Sequence, residues 1–492
     1  MIGLGRLPAA LLIALCLRGA DLAEMSHQAK EAMVAGNFRQ AVTLYRELVK
    51  ALPDNPGLRM NLGLALHSEG QYREAIPNFQ MVAKQVPEAW LFIGLDRLKL
   101  GQPELAIAPL EKVIAADERN EEARLELAEA FLESSKPRQA AEHFKTLVKL
   151  DPENAKGWHG LGLAYLGLSR EAFTKLEKLA ADSAWRDALL ARSLVERSRI
   201  YSAFRLYQQA LAKEPGLRGV HAGIAEVYRR SNHPDWAQVE ADREKNLPSP
   251  QCAPPTLECE FVAGRYQTIL ERSNADHIAE ALYWQSQAWS KLSEQCFEQL
   301  ARMPSSGAID ELMADAYRIQ GKYDQAVQEW RKALQLSPAD QRVKAGLARA
   351  LWLSREFEEA RPLLNELVKQ QPESVDLNFE LGDVCLNVDD ISNAVYYLET
   401  AIKLAPAQLQ AHASLGRAYV RAGQPQQAIP HLRMAAALDP DGRGYYTLSQ
   451  AYEAAGQKEL GREALRKYRE ISVARRERET ETPEEYQITP PR

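Results

Sequence analysis

Apolar residues along this chain fall into short stripes at i, i+3, i+4 and i+7, the spacing that puts them on one face of an α-helix. The stripes come in pairs. In residues 61–87, "NLGLALHSEGQYREAIPNFQMVAKQVP", Leu62 and Leu66 form one stripe and Ala75, Phe79 and Val82 the next. Gly70, Gly101, Gly321, Gly423 and Gly456 fall between paired stripes, where the left-handed residue that ends a helix favours glycine. A proline closes most pairs and stops the second helix. The pattern predicts an all-α chain of helical hairpins. A single hairpin cannot bury both of its stripes, whereas stacked neighbours can, so the hairpins form an elongated cooperative array.

The pairs repeat. An Ala, an apolar or aromatic residue four later and a Pro twelve later occur as Ala41/Tyr45/Pro53, Ala75/Phe79/Pro87, Ala140/Phe144/Pro152 and Ala203/Tyr207/Pro215. They return as Ala326/Trp330/Pro338, Ala360/Leu364/Pro372, Ala394/Leu398/Pro406 and Ala428/Leu432/Pro440, with the last four alanines spaced 34 residues apart. The first helices have their own signature. Trp158, Leu161, Gly162 and Tyr165 stand at W-x2-L-G-x2-Y spacing, with partial versions at Leu62/Gly63, Trp90/Ile93/Gly94, Leu381/Gly382 and Leu415/Gly416/Tyr419. The glycines at 63, 94, 162, 382 and 416 are expected to let paired helices approach closely.

On these residues the chain resembles the tetratricopeptide repeat family over nearly all of its length after the N-terminal segment. The resemblance implies an α-solenoid, a right-handed superhelix of about twelve hairpins. The register runs 22–55, 56–86, 87–120, 121–154, an irregular 155–183, 184–217 and an irregular 218–250. It resumes at 307–340, 341–374, 375–408, 409–442 and 442–475. The expected organisation is a signal peptide at 1–23, an N-terminal array at 24–246 and a divergent segment at 247–306 with a Pro/Cys turn. A C-terminal array at 307–475 and a disordered charged tail at 476–492 follow.

The resemblance also implies that first helices line a concave groove holding partner proteins or peptides. The groove positions are the fifth, ninth, twelfth and thirteenth of a unit. They fall on Leu125, Glu129, Leu132 and Glu133 in 121–154, and on Ala345, Arg349, Trp352 and Leu353 in 341–374. In 375–408 they are Phe379, Asp383, Leu386 and Asn387, and in 409–442 Ala413, Arg417, Val420 and Arg421. The C-terminal set suits a peptide with apolar anchors and an acidic group. The alternative is that Trp352 and Phe379 pack against neighbouring repeats. Matched Lys and Asn on successive first helices, which a chaperone-tail carboxylate clamp needs, are missing.

Composition changes the picture little. The chain has 492 residues, 46% apolar and 26% charged, with Lys+Arg 61 against Asp+Glu 67 and a net charge of −6. That balance gives no electrostatic reason to expect nucleic acid as partner. The N-terminus matters more. Arg6 precedes an apolar run from Leu7 to Leu17, too short for a membrane span of about twenty residues, and small residues follow at Gly19, Ala20 and Ala23. This reads as a secretory signal peptide, although Arg18 or Asp21 falls where a small residue is preferred. Leu15 before Cys16 argues against a lipoprotein. The mature chain is expected to be exported, periplasmic or secreted, without an integral membrane span.

Catalytic chemistry finds no foothold. "GLGLAYLG" (160–167) imitates a nucleotide loop, but its glycines occupy repeat positions. "DPDGRG" (439–444) lacks the acidic twelfth ligand of a calcium loop, because Gln450 stands there. His143 and His431 precede packing positions in second helices and read as structural. Cys385 and Cys296 read as buried small residues. Cys252 and Cys259 bracket "APPTLE" within "PSPQCAPPTLECEF" (248–261). They make a poor zinc site, and in an oxidising compartment a disulfide closing a proline-stiffened turn is expected; two free thiols in a linker are the alternative. The function expected is a non-enzymatic, cofactor-free exported scaffold for protein–protein interaction. The alternative is a binding subunit of an envelope secretion or polysaccharide-export assembly.

Overall fold

The computed structural model describes residues 9–197, 199–250, 252–272, 278–436, 439, 442–479 and 488–491. Regular structure among these is α-helical throughout; an isolated bridge pairs Cys252 with Pro255. The chain divides into two compact units, residues 1–168 with 292–296, and residues 169–291 with 297–492.

The first unit holds four hairpins: α1 (Ala9–Val34) with α2 (Phe38–Ala51), α3 (Pro56–Ser68) with α4 (Tyr72–Val82), α5 (Ala89–Lys99) with α6 (Pro103–Ala116), and α7 (Glu121–Glu133) with α8 (Pro137–Leu150). The first part of α9 (Ala155–Leu179) completes it. The second unit takes the rest of α9, then α10 (Ala184–Glu196) with α11 (Ile200–Lys213), and α12 (Val220–Arg230) with α13 (Pro234–Lys245). The short α14 (Leu257–Val262) and α15 (Tyr266–Arg272) follow, and then α16 (Ala279–Ala301), whose residues 292–296 belong to the first unit. Five hairpins end the chain: α17 (Gly307–Ile319) with α18 (Tyr323–Leu336), α19 (Gln341–Ser354) with α20 (Phe357–Gln370), and α21 (Val375–Asn387) with α22 (Ile391–Leu404). The last two are α23 (Leu409–Arg421) with α24 (Pro425–Ala436), and α25 (Arg443–Ala454) with α26 (Lys458–Glu479).

The repeat-ending prolines act one residue early. Steric conflict with the proline ring drives the preceding residue out of helical geometry. Leu52, Asp151, Ser337, Gln371 and Ala405 accordingly cap their helices at φ between −129° and −136°. Two residues after the proline, Asn55, Asn120 (after Glu118) or Asn154 accepts a backbone N–H from the next first helix. Within hairpins the left-handed residue is glycine at 70, 101, 321, 423 and 456, and Ser135, Asn232, Arg355 or Asp389 elsewhere.

The repeating alanines at 41, 75, 140, 203, 326, 360, 394 and 428 are all fully buried. In a close-packed interior a larger side chain at such a position would have to displace its neighbours. The first-helix glycines work the same way. A Cβ on Gly63 would stand 2.5 Å from the Phe79 ring, and one on Gly416 2.5 Å from Leu432. In 155–183 the close approach belongs to Gly160, against Phe144 of the preceding hairpin at 2.2 Å. One register of glycine thus receives its own second helix, as at Gly63 and Gly416, and another the preceding one, as at Gly160.

Three features depart from simple repetition. Residues 155–179 form one continuous helix, and Ser169 Oγ near its middle meets Ser286 and Ser290 of α16 at 2.9–3.0 Å. Between α13 and α14 the helices stop, and Cys252 and Cys259 are joined in a disulfide with Cα atoms 5.6 Å apart. The third feature is at the C-terminal end, where the expected tail began at 476. Helix α26 continues to Glu479, and Ile488 packs against the core around α10–α13; residues 480–487 lie outside the described residues. Cys296 and Cys385 are buried, and burial pushes their thiols up to about 12 and about 11.

Candidate functional site

Helices α19, α21 and α23 are successive first helices, so the same positions of each line up along one face. Trp352 of α19 packs edge-to-face on Phe379 of α21, with ring centres 5.7 Å apart. Its indole N–H donates to Asp383 of α21 at 3.1 Å. The rings pack between repeats, and Trp352 keeps part of its surface open.

Asp383 is the hub. Its other carboxylate oxygen accepts from Ser414 Oγ at 2.8 Å and from Arg417 at 2.9 Å, both on α23. Asn387, one turn on, donates to the Asp383 carbonyl at 2.8 Å. One carboxylate therefore joins three successive first helices. Arg349 of α19 forms a parallel link to α21, 2.5 Å from Glu380 and 3.3 Å from Asp376. Glu380 is 4% exposed; burial raises its carboxyl pKa, and Arg349 opposes that rise. Arg421 of α23 donates to the Leu386 carbonyl at 2.5 Å and pairs with Asp389.

The structure thus brings together Arg349, Trp352, Phe379, Asp383, Asn387, Arg417 and Arg421. It also changes their electrostatics. Arg349, Arg417 and Arg421 are each matched with a carboxylate of the neighbouring repeat, which weakens their pull on an acidic ligand. What remains is a preorganised apolar and hydrogen-bonding surface. The signal that could have shown this was the recurrence of opposite charges about one repeat apart, as in Arg349/Glu380 and Asp383/Arg417.

Leu125, Glu129 and Leu132 belong to the first unit, half-buried on α7. Burial raises the carboxyl pKa of Glu129 and of Glu126; Lys156 and Lys99 oppose this, and neighbouring glutamates add to it. On α3 and α5 the sequence hid a further pair. His67 Nδ1 lies 2.5 Å from Asp96, a fully buried carboxylate whose pKa burial raises against the pull of His67. In α23 and α24, His412 and His431 meet Nδ1 to Nδ1 at 2.7 Å, and His412 Nε2 donates to the Pro406 carbonyl at 3.0 Å. These partners make the pair structural. Among the described residues no group of three His, Cys, Asp or Glu could hold a metal ion, and no helix is long and apolar enough to cross a membrane.

Family models agree with the repeat pattern. Models described as "Tetratricopeptide repeat" match residues 97–164 and 317–377, residues 27–90 and 413–472, and residues 375–408. Together these segments take in more than half of the chain. The "Protein CTR9 homolog" of Arabidopsis thaliana is 24% identical over 327 residues, covering 63% of this chain and 28% of that relative. The chain therefore spans under a third of that relative's length. Among solved structures, MamA from Desulfovibrio magneticus RS-1 is 19% identical, with a TM-score of 0.32 over 35% of this chain and 98% of that one. YrrB, titled "a TPR protein with an unusual peptide-binding site", is 20% identical, with a TM-score of 0.30 over 34% of this chain and 87% of that one.

Proposed function

Because the chain belongs to the tetratricopeptide repeat family, we propose that it is an exported, non-enzymatic scaffold that binds segments of other proteins on the first-helix face of α19, α21 and α23. A protein-interaction scaffold is what this repeat architecture provides; the particular face, the ligand chemistry and export are our reading. The observation that carries the face is the Asp383 hub. It holds Trp352, Ser414 and Arg417 in fixed positions beside Phe379, so a ligand meets ordered side chains and loses less entropy on binding. With these arginines matched by carboxylates, the favoured ligand is an extended or helical segment with an apolar anchor. Its main-chain groups would use the donors that Arg349 and Arg417 leave free.

Export is supported by two features. Cleavage near residue 23 would leave residues 24–34 as an eleven-residue first helix, the length of α5. The Cys252–Cys259 disulfide suits an oxidising compartment. The test is affinity purification of the chain from its native envelope, wild type against Trp352→Ala/Arg417→Glu. Loss of one or more partners with the double variant supports this face, and unchanged recovery of every partner sinks it. N-terminal sequencing of the mature chain reads export separately.

A further inference from the structure

Ile488 and Thr489 lie far along the chain from α12, yet they touch its core. Tyr228 Oη donates to the Thr489 carbonyl at 2.6 Å. Ile488 packs against the core cluster that contains Tyr228, Phe204 and Tyr207. Tyr228 is itself 1% exposed, with its ring 5.5 Å from both Phe204 and Trp236; His233 stacks on Trp236 at 4.1 Å. Burial pushes the Tyr228 hydroxyl up to about 12, so it stays protonated and donates.

The fold explains why this place is open. The hairpin after α12 and α13 is built from α14 and α15, only 6 and 7 residues long against 11 and 12. At about 1.5 Å per residue such helices are roughly half as long as their neighbours and offer less cover. Residues 488–491 are ligand-like in their chemistry. Proline after Thr489 keeps that residue extended and its carbonyl presented. Two successive prolines lose little entropy on docking, which is how proline-rich segments are held on aromatic surfaces. Thr489 and Pro490 remain exposed, while Ile488 and Pro491 are half-buried.

We propose that the face around Tyr228 is a docking site for short extended segments of the form apolar–Thr–Pro–Pro, occupied in this chain by its own C-terminus. A tethered segment competes at an effective concentration in the millimolar range. A partner carrying the same chemistry must therefore displace the tail or outcompete it. This site is separate from the α19–α23 face, and neither depends on the other.

The test uses a fluorescein-labelled peptide with the sequence of residues 485–491, EYQITPP, and fluorescence anisotropy. Full-length Ile488→Asp, which vacates the site without shortening the chain, should bind the peptide at least about tenfold more tightly than wild type, as removal of a millimolar competitor requires. A chain ending at Gln487 should do the same. A peptide with Asp in place of Ile should not bind. Tyr228→Phe placed in the Ile488→Asp chain keeps the ring and should weaken peptide binding several-fold. Equal or undetectable binding to the wild-type and vacated chains overturns the proposal. So does a wild-type dimer, seen by sedimentation, that dissolves on Ile488→Asp, because the tail would then occupy a second copy.

Discussion

The indole nitrogen of Trp352 lies 3.1 Å from Asp383, a residue 31 positions later on the next first helix. Asp383→Ala should cost more than an ordinary surface carboxylate, because Trp352, Ser414 and Arg417 all lose their acceptor. About 2 kcal/mol is expected from chemical denaturation, with Asp383→Asn losing less. In a double-mutant cycle, Trp352→Phe with Asp383→Ala should show a coupling of about 1 kcal/mol. Strict additivity would mean that the bond contributes nothing.

Gly382 faces Leu398 so closely that a Cβ would stand 2.7 Å from its Cγ and 3.1 Å from its backbone nitrogen. Gly382→Val should destabilise the C-terminal hairpins by about 3 kcal/mol through overpacking. The second-site change Leu398→Ala should recover part of that loss, although alone it opens a cavity. Failure of this rescue would place the damage elsewhere.

Ser135 turns the α7–α8 hairpin at φ 56°. A side chain in the left-handed region costs about 1 kcal/mol relative to glycine. Ser135→Gly should therefore raise the thermal midpoint slightly, a gain of about 0.5 kcal/mol after the entropy that glycine adds to the unfolded chain. Ser135→Ala should give no such gain.

Burial, and then the neighbouring His412, hold the His431 imidazole below its usual pKa, with Glu399 opposing. The unfolded chain takes up a proton at a pH where the folded chain does not. The stability this difference represents is present above the unfolded pKa of about 6.5 and is lost as pH falls from there through the lower folded value. Urea midpoints measured from about pH 7.5 to pH 5.5 should fall more steeply for wild type than for His431→Gln, which cannot titrate. Parallel slopes would remove His431 from the acid response.

The hairpins were legible in the sequence because their causes are local. Alanine at a helix contact, glycine at a left-handed turn and proline after the second helix each act within a few residues, so Ala360, Gly423 and Pro372 announce themselves. The positions of the candidate face were legible for the same reason, since Arg349, Trp352, Asp383 and Arg417 follow from the repeat register. Their partners were not. Glu380 lies 31 residues from Arg349, and Ser286 lies 117 from Ser169. Such pairings depend on which elements stack, and they leave no periodic trace. The return of Ile488 to the core around Tyr228 was hidden further, because the charged sequence before it reads as unstructured chain.

The carboxylate–arginine links along α19, α21 and α23 have a mechanical consequence. Apolar contacts hold the interior of these hairpins together, and salt scarcely affects them at moderate concentration. Their first-helix edge is laced by ions that are partly in water, within reach of a Debye length of about 8 Å at physiological ionic strength. Raising the salt slackens one side of the stack and leaves the other taut. The protein's compliance on the face that would meet a partner is thus set by the ionic strength of the medium as well as by its own packing.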